Sequence, residues 1–157
     1  MTSPSDLEEI KKLKYRYLRL MDQHRWDEME DLFIENATSS YEGGIFTFDN
    51  RENIVGMFRQ YMNDDDLFAL HHVHHPEIEF TSPTTAKAIW AFEDRYIQRK
   101  HKTTTYGSGF YEDELVKVDG RWLFKHSGHR RVCECQESLP EDFELVQACD
   151  YKTWRNT

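Results

Sequence analysis

The sequence predicts an α+β fold in which three N-terminal helices pack on a curved, mostly antiparallel sheet. Three observations carry that reading. Apolar residues recur at helical spacing up to about Tyr61. Long strand-like stretches follow from Leu67 onward. An Asp119-Gly120 pair between the last two stretches is a hairpin signal. A sheet reached in this order can curl around the helices as a cone and leave a pocket between the layers.

Met1 to Pro4 read as disorder or a cap. Ser5 can accept from the free amides of the next turn, with Glu8 three residues later as its capping-box partner. Leu7, Ile10, Leu13, Tyr17, Leu20 and Met21 then set a helix from about Asp6 to about Gln23. A second, short helix is expected from Trp26 to Phe33, turning Met29, Leu32 and Phe33 inward. Ala37 to Tyr41 and Ile45 to Phe48 read as short strands on either side of a Gly43-Gly44 turn. Asp49 or Asn50 caps a third helix carrying Ile54, Met57, Phe58 and Tyr61. The acidic run Asp64 to Asp66 ends it as a solvated loop.

The meander comprises Leu67 to Thr81, broken or bulged at Pro76, then Ala86 to about His101, Thr103 to Val118, and Arg121 to Cys135. In the tail, Leu139, Phe143, Leu145 and Val146 are candidates for docking on the body or on a neighbour. Residues 1–157 read as one domain, with about 5–137 its core and 138–157 a C-terminal tail.

Acids outnumber bases 29 to 20, a formal charge of −9. That balance argues against nucleic acid as a partner, which would need a basic stripe to displace counterions. No apolar run reaches the length of about 18 residues that a membrane helix requires. The N-terminus lacks the apolar core of a secretory signal, so a cytoplasmic location is expected. Only 38% of residues are hydrophobic, yet 14% are aromatic. Such a lean, ring-rich core suits an aromatic-lined cavity, or a small core simply filled by rings. Cys133, Cys135 and Cys149 are expected to stay reduced in a cytosolic chain. The first two lie too close for an ordinary bridge and are expected to alternate across a strand. Their C-x-C pair has no nearby partner pair, which speaks against zinc.

Several residues could carry chemistry. His71 opens the run HHVHH, where His71, Val73 and His75 share one strand face and His72 and His74 the other. No third ligand and no H-E-x-x-H pattern accompanies them, so no metal is expected. His71 is either a general base, needing one orienting partner, or an ordinary polar strand residue. Asp22 lies at the C-terminal end of the first helix, where the helix dipole disfavours a carboxylate. It is kept there for a task, or it is a solvated loop acid. Asp94 shares a face with Ala88, Trp90, Phe92 and Tyr96. An acid among rings is buried with a partner or marks a polar spot in a pocket, unless that face is exposed beyond Phe92. Arg131 alternates with Ser127 and His129 and can pair with Asp94, hold an anionic group, or lie at the surface. Tyr17, Tyr41 and Tyr111 are core tyrosines or pocket tyrosines. Gly107-Ser108-Gly109 is no phosphate loop, because a strand pattern follows it.

Together these pieces resemble the SnoaL-like branch of the nuclear transport factor 2-like superfamily, over nearly the whole chain from Leu7 to about Glu137. The carriers are Tyr17-Leu18-Arg19-Leu20-Met21-Asp22, Trp26-Asp27-Glu28-Met29, His71-x-x-His74-x-Pro76-Glu77-Ile78, Trp90-x-x-Glu93-Asp94, Phe110-Tyr111-x-Asp113, Asp119-Gly120-x-Trp122 and Gly128-x-x-Arg131. Within the superfamily the chain is most similar to bile-acid 7α-dehydratases, with scytalone dehydratases and hexachlorocyclohexane dehydrochlorinases more distant. The resemblance implies an Asp–His dyad at Asp22 and His71, supported by Tyr17, Asp94 and Arg131. The Ser and Asn of scytalone dehydratases fall at Gly109 and Tyr111, which makes scytalone itself an unsuitable substrate.

The implied activity is a cofactor-independent dehydratase, a lyase acting on a small hydrophobic cyclic or polycyclic alcohol or ketol. In that reading His71 removes the proton and Tyr17 hydrogen-bonds the carbonyl oxygen. Asp94 assists the leaving hydroxyl, Arg131 fixes Asp94 or a polar substrate group, and Tyr41, Trp90, Phe92, Phe110 and Tyr111 enclose the skeleton. The alternatives are a ketosteroid-type isomerase or dehydrohalogenase in the same pocket, or a non-catalytic binding or assembly module. The resemblance also implies a homo-oligomer, a trimer before a dimer.

Overall fold

A computed structural model describes residues 4–155. Met1–Ser3, the greater part of the expected disordered segment or cap, lie outside the described residues. The elements are α1 (Pro4–Asp22), α2 (Trp26–Glu30), β1 (Phe33–Tyr41), a 3₁₀ turn (Glu42–Gly44), β2 (Phe46–Phe48), α3 (Arg51–Met62), β3 (Leu67–Ser82), β4 (Thr85–Gln98), β5 (Thr103–Val118), β6 (Arg121–Ser138) and α4 (Tyr151–Arg155). The six strands form one sheet in the order β2-β1-β6-β5-β4-β3. Every pairing is antiparallel except β1 with β6. The expected α+β cone is therefore the observed architecture. No described helix is long and apolar enough to cross a membrane.

Helix α1 buries Ile10, Leu13, Tyr17, Leu18, Leu20 and Met21, the stripe expected from their spacing. Its first turn is tied to the sheet by Asp6, whose Oδ1 accepts from Trp122 Nε1 at 3.0 Å and from Lys117 Nζ at 2.7 Å. The helix closes in a Schellman pattern: His24 N donates to Met21 O and Arg25 N to Leu20 O. That pattern needs a left-handed residue just past the last turn, and here it is His24 (φ 55°) rather than glycine. Stacking holds this histidine in place, with ring centroids 3.7 Å from Tyr151 and 5.3 Å from Trp26. Asn50 caps α3 by accepting from Asn53 N at 2.8 Å, one of the two expected caps.

Several boundaries differ from the sequence expectation, among them the end of β4 at Gln98 rather than about His101. Helix α2 stops at Glu30, and β1 starts at Phe33 instead of Ala37. The reason is long-range: Phe124 N donates to Leu32 O at 2.8 Å, and Phe33 pairs with Phe124, so β6 draws this segment into the sheet. The last strand runs on to Ser138. The tail is anchored not by the expected apolar residues, of which Val146 is 87% exposed, but by Tyr151. The buried Tyr151 hydroxyl donates to Leu67 O at 2.8 Å.

Pro76 sits where the β3–β4 register shifts, between His74 and Glu77. The break is tolerated because β3 is an edge strand and no ladder partner needs the missing N–H. Cys133 and Cys135 correct another expectation. Two residues apart on β6, they pair with Ser108 and Tyr106 and share the outer face of the sheet. The Asp119-Gly120 turn forms as expected, with positive φ at both residues (49° and 81°).

Candidate active site

The Schellman close of α1 leaves Asp22 on its last turn, facing the first residues of β3. Asp22 Oδ2 accepts from the His71 backbone N–H at 2.9 Å, and Asp22 Oδ1 lies 2.6 Å from His71 Nδ1. These two N–H groups offset the unfavourable dipole at that helix end. Both residues are buried. A carboxylate accepts only, so Nδ1 carries a proton, and in the neutral form of the ring the lone pair is on Nε2. Nε2 meets the hydroxyl of Tyr96 at 2.8 Å.

On β4, Asp94 stands beside His71 in register. Arg131 Nη1 donates to Asp94 Oδ1 at 3.0 Å and Nη2 to Oδ2 at 2.8 Å, a bidentate pair. Burial works against the charged guanidinium, but Asp94 outweighs it and holds Arg131 above its ordinary value. The Tyr96 hydroxyl is also 3.3 Å from Asp94 Oδ2, so it has two acceptors in reach. Burial, followed by the Asp94 charge, raises this phenol's pKa. The Asp94–Arg131 pair occupies the space over Gly107: a Cβ there would lie 1.8 Å from Arg131 Nη1 and 2.3 Å from Asp94 Oδ1. Gly107 is thus required by the site, not by phosphate binding.

Across the chamber, Glu42 Oε1 meets His129 Nε2 at 2.8 Å and Arg131 Nε at 3.0 Å. Burial alone would raise the Glu42 carboxyl, but His129 and Arg131 hold it below the usual range. Burial lowers His129, with Glu42 opposing. Behind the opposite wall lies a second buried ion pair, Lys14 Nζ at 2.9 Å from Asp113 Oδ2. Lys14 Nζ also sits 3.4 Å from the centre of the Tyr111 ring.

These groups surround a cavity of about 240 Å³ lined by Tyr17, Met21, Tyr41, Glu42, Phe46, Met57, Phe58, Tyr61, Met62, His71, Asp94, Tyr96, Tyr111, His129 and Arg131. The structure therefore brings the five expected polar residues, Tyr17, Asp22, His71, Asp94 and Arg131, to one place. Of the expected aromatic wall, Tyr41 and Tyr111 line the cavity. Trp90 and Phe92 are buried behind it, Trp90 against Tyr15 and Phe92 against Tyr111 and His129. Phe110 is a correction. It is 47% exposed on the outer face, because neighbours on a strand point to opposite sides and Tyr111 takes the inner one.

Sequence reasoning missed Tyr96, His129 and Glu42. The first two were findable, since Tyr96 follows Asp94 and His129 precedes Arg131 by one strand period. Glu42 carries no such signal, because it reaches the site from a turn at φ 51°.

With this geometry in view, residues 3–128 match the family model described as "SnoaL-like domain". Among solved structures, a scytalone dehydratase-like protein from Novosphingobium aromaticivorans superposes with a TM-score of 0.78 at 22% identity, covering 92% of this chain and 95% of that one. The hexachlorocyclohexane dehydrochlorinase LinA-type3 from Novosphingobium barchaimii superposes with a TM-score of 0.78 at 16% identity, over 92% and 96%. ActVI-ORFA from Streptomyces coelicolor superposes with a TM-score of 0.70 at 15% identity, over 80% and 96%. At these identities the likeness is one of fold.

Proposed function

Because the chain belongs to the SnoaL-like domain family, whose fold also carries a dehydrochlorinase, we propose that it is a cofactor-independent carbon–oxygen lyase acting on a hydrophobic cyclic ketol. One observation carries the reading: the 2.6 Å contact between His71 Nδ1 and Asp22 Oδ1 at the wall of an aromatic cavity. It gives the imidazole a fixed tautomer with its free lone pair on Nε2, on the chamber side of the ring. The Tyr96 hydroxyl lies 2.8 Å from Nε2 and 3.3 Å from Asp94 Oδ2, and with its proton on Asp94 it leaves the Nε2 lone pair free.

His71 then takes the proton beside the substrate carbonyl, and Asp22 stabilises the imidazolium that forms. General-base chemistry of this kind contributes about 10²–10⁴-fold in rate. The C–O bond breaks as the electron pair moves into the new C=C bond. The imidazolium returns its proton to the departing hydroxyl, so water leaves and His71 is regenerated. Asp94 does not supply that proton: both of its oxygens accept from Arg131, and its role is to hold Arg131 and receive Tyr96. Arg131 in turn is held by Asp94 on Nη1 and Nη2 and by Glu42 on Nε, which fixes this polar side of the chamber beside His71.

The outer sheet face exposes Leu70, Tyr106 and Phe110. A homo-oligomer that covers this face belongs to the same proposal.

The test is a panel of cyclic β-hydroxyketones incubated with the protein and read by mass spectrometry. Loss of one water by the wild type, absent in a folded His71→Ala variant, is the expected result. A β,γ-unsaturated cyclic ketone added to the panel, converted at unchanged mass to the conjugated enone as read by ultraviolet absorbance, would assign isomerisation instead. Water loss that survives in His71→Ala rejects the mechanism.

A further inference from the structure

Once His71 has taken a proton, that proton has to travel from Nε2 to the departing hydroxyl, and the atoms around Nε2 limit its route. Among the described residues, the hydrogen-bond partner of Nε2 is the Tyr96 hydroxyl at 2.8 Å. Asp94 Oδ2 lies farther off, at 3.8 Å, and both oxygens of that carboxylate already accept from Arg131. The His71 side chain is only 3% exposed, and the Tyr96 ring stands edge-on to it with centroids 5.4 Å apart. Tyr96 also lines the cavity. The Tyr17 and Tyr41 hydroxyls, by contrast, meet each other at 3.2 Å and make no bond to His71.

A phenol can donate and accept at once. Toward a neutral imidazole, Tyr96 faces a lone pair. Toward the imidazolium it faces an N–H, so its oxygen accepts and its own proton is free to go elsewhere.

We infer that Tyr96 is a further catalytic residue, the relay that hands the His71 proton to the departing hydroxyl. The inference rests on the lyase reading and gives the route of its last proton. The Nε2 proton moves to the Tyr96 oxygen as the Tyr96 proton moves to the departing oxygen. The C–O bond breaks with its electron pair on that oxygen, and water leaves. Neutral His71 and the phenol are both restored.

Two acceptors compete for the Tyr96 proton at that moment. Asp94 is 3.3 Å away and shares its charge with a guanidinium. The departing oxygen is on its way to hydroxide. Aspartates as a class titrate near about 3.9 and water near about 15.7, so the departing oxygen is much the stronger base. Burial, followed by the Asp94 charge, disfavours the phenolate. Tyr96 therefore gives up one proton only as it receives the next.

Tyr96→Phe keeps the ring and deletes the relay. The full-length variant is tested on the ketol that the panel identifies and on its β-chloro analogue, whose chloride leaves without a proton, with spontaneous loss subtracted. Water loss relative to chloride loss should fall by about 10²-fold or more, the contribution of a general acid. His71→Ala should lose both reactions. An unchanged ratio in folded Tyr96→Phe overturns the relay and leaves the lyase reading standing. A wild type that releases chloride but water from no ketol overturns the reading, and the relay with it. A second readout needs no turnover. In nitrogen NMR spectra of the full chain with labelled histidine rings, recorded with the ring neutral, the His71 Nε2 resonance should move in Tyr96→Phe. A resonance that stays in place means that Nε2 has no phenol partner in solution, and it overturns the relay whatever the protein eliminates.

Discussion

Arg131 places two nitrogens on the two oxygens of Asp94, at 3.0 and 2.8 Å, in the space that a side chain on Gly107 would fill. The pair and the glycine are one device. A methyl group at position 107 must push the guanidinium or the carboxylate away.

Gly107→Ala is therefore expected to cost about 10²-fold in kcat/KM, the effect of misplacing catalytic groups by about an ångström. Ser108→Ala points outward and should leave the rate near that of the wild type. Steady-state kinetics on whichever ketol the panel identifies, with circular dichroism to verify folding, makes the comparison. Equal rates for Gly107→Ala and the wild type would remove the pair from the mechanism.

Asp22→Asn keeps the shape of the Asp22–His71 contact but changes its protons. An amide can donate to Nδ1 and trap the tautomer whose proton sits on Nε2, where the lone pair is needed. The expected loss in kcat is as much as about 10⁴-fold, with KM little changed. A loss confined to KM would show that Asp22 serves binding rather than the base.

Lys14 predicts an unusual pH dependence of stability. Burial pulls its ammonium down to about 8, against the pull of Asp113. In the unfolded chain a lysine titrates near about 10.4. Between these values the unfolded chain binds more protons, so stability rises with pH. Below about pH 8 the lysine is charged in both states and its burial cost is fully felt. The slope should stay below about 1.4 kcal/mol per pH unit and be steepest near about pH 9, midway between the two values. Above about pH 10, the tyrosines whose folded values are raised ionise first in the unfolded chain and turn the trend downward. Urea denaturation across this range should show the rise in the wild type. It should be lost in Lys14→Met/Asp113→Asn, and a flat wild-type profile contradicts the assignment.

Tyr151 ties the tail to the segments that carry Asp22 and His71, stacking on His24 beyond Asp22 and bonding Leu67 O upstream of His71. Tyr151→Phe removes only the hydrogen bond and should cost about 1 kcal/mol. Tyr151→Ala removes the ring as well and should cost about 3–5 kcal/mol. Hydrogen exchange should then quicken first at His24, Arg25 and Leu67 to His71. Exchange that quickens evenly over the sheet would mean that Tyr151 acts on global stability alone.

Much of the fold is legible in the sequence because period carries it. The α1 stripe, the Asn50 cap, the bulge at Pro76 and the Asp119-Gly120 turn are local choices made by neighbouring residues. Phase is legible for the same reason. Since Tyr111 faces inward, Phe110 cannot, and Cys133 and Cys135 two residues apart must share a face. The placements of Phe110 and of the cysteine pair on the outer face follow from strand alternation alone. The extension of β1 back to Phe33 was not legible, because its cause is a backbone bond to β6, some ninety residues downstream.

For the site, the sequence by itself determined which residue types lie on which face: Asp22 beyond the α1 stripe, His71 on β3, Asp94 with Tyr96 on β4, His129 with Arg131 on β6. Only the tertiary structure decided who meets whom. That Asp94 accepts from Arg131, that Tyr96 covers the His71 lone pair, and that Glu42 arrives from a turn depend on how the sheet closes over α1. Side-chain alternation is a property of one strand and survives in any context. Hydrogen-bond partnership is a property of distance between strands, and only the folded chain sets it.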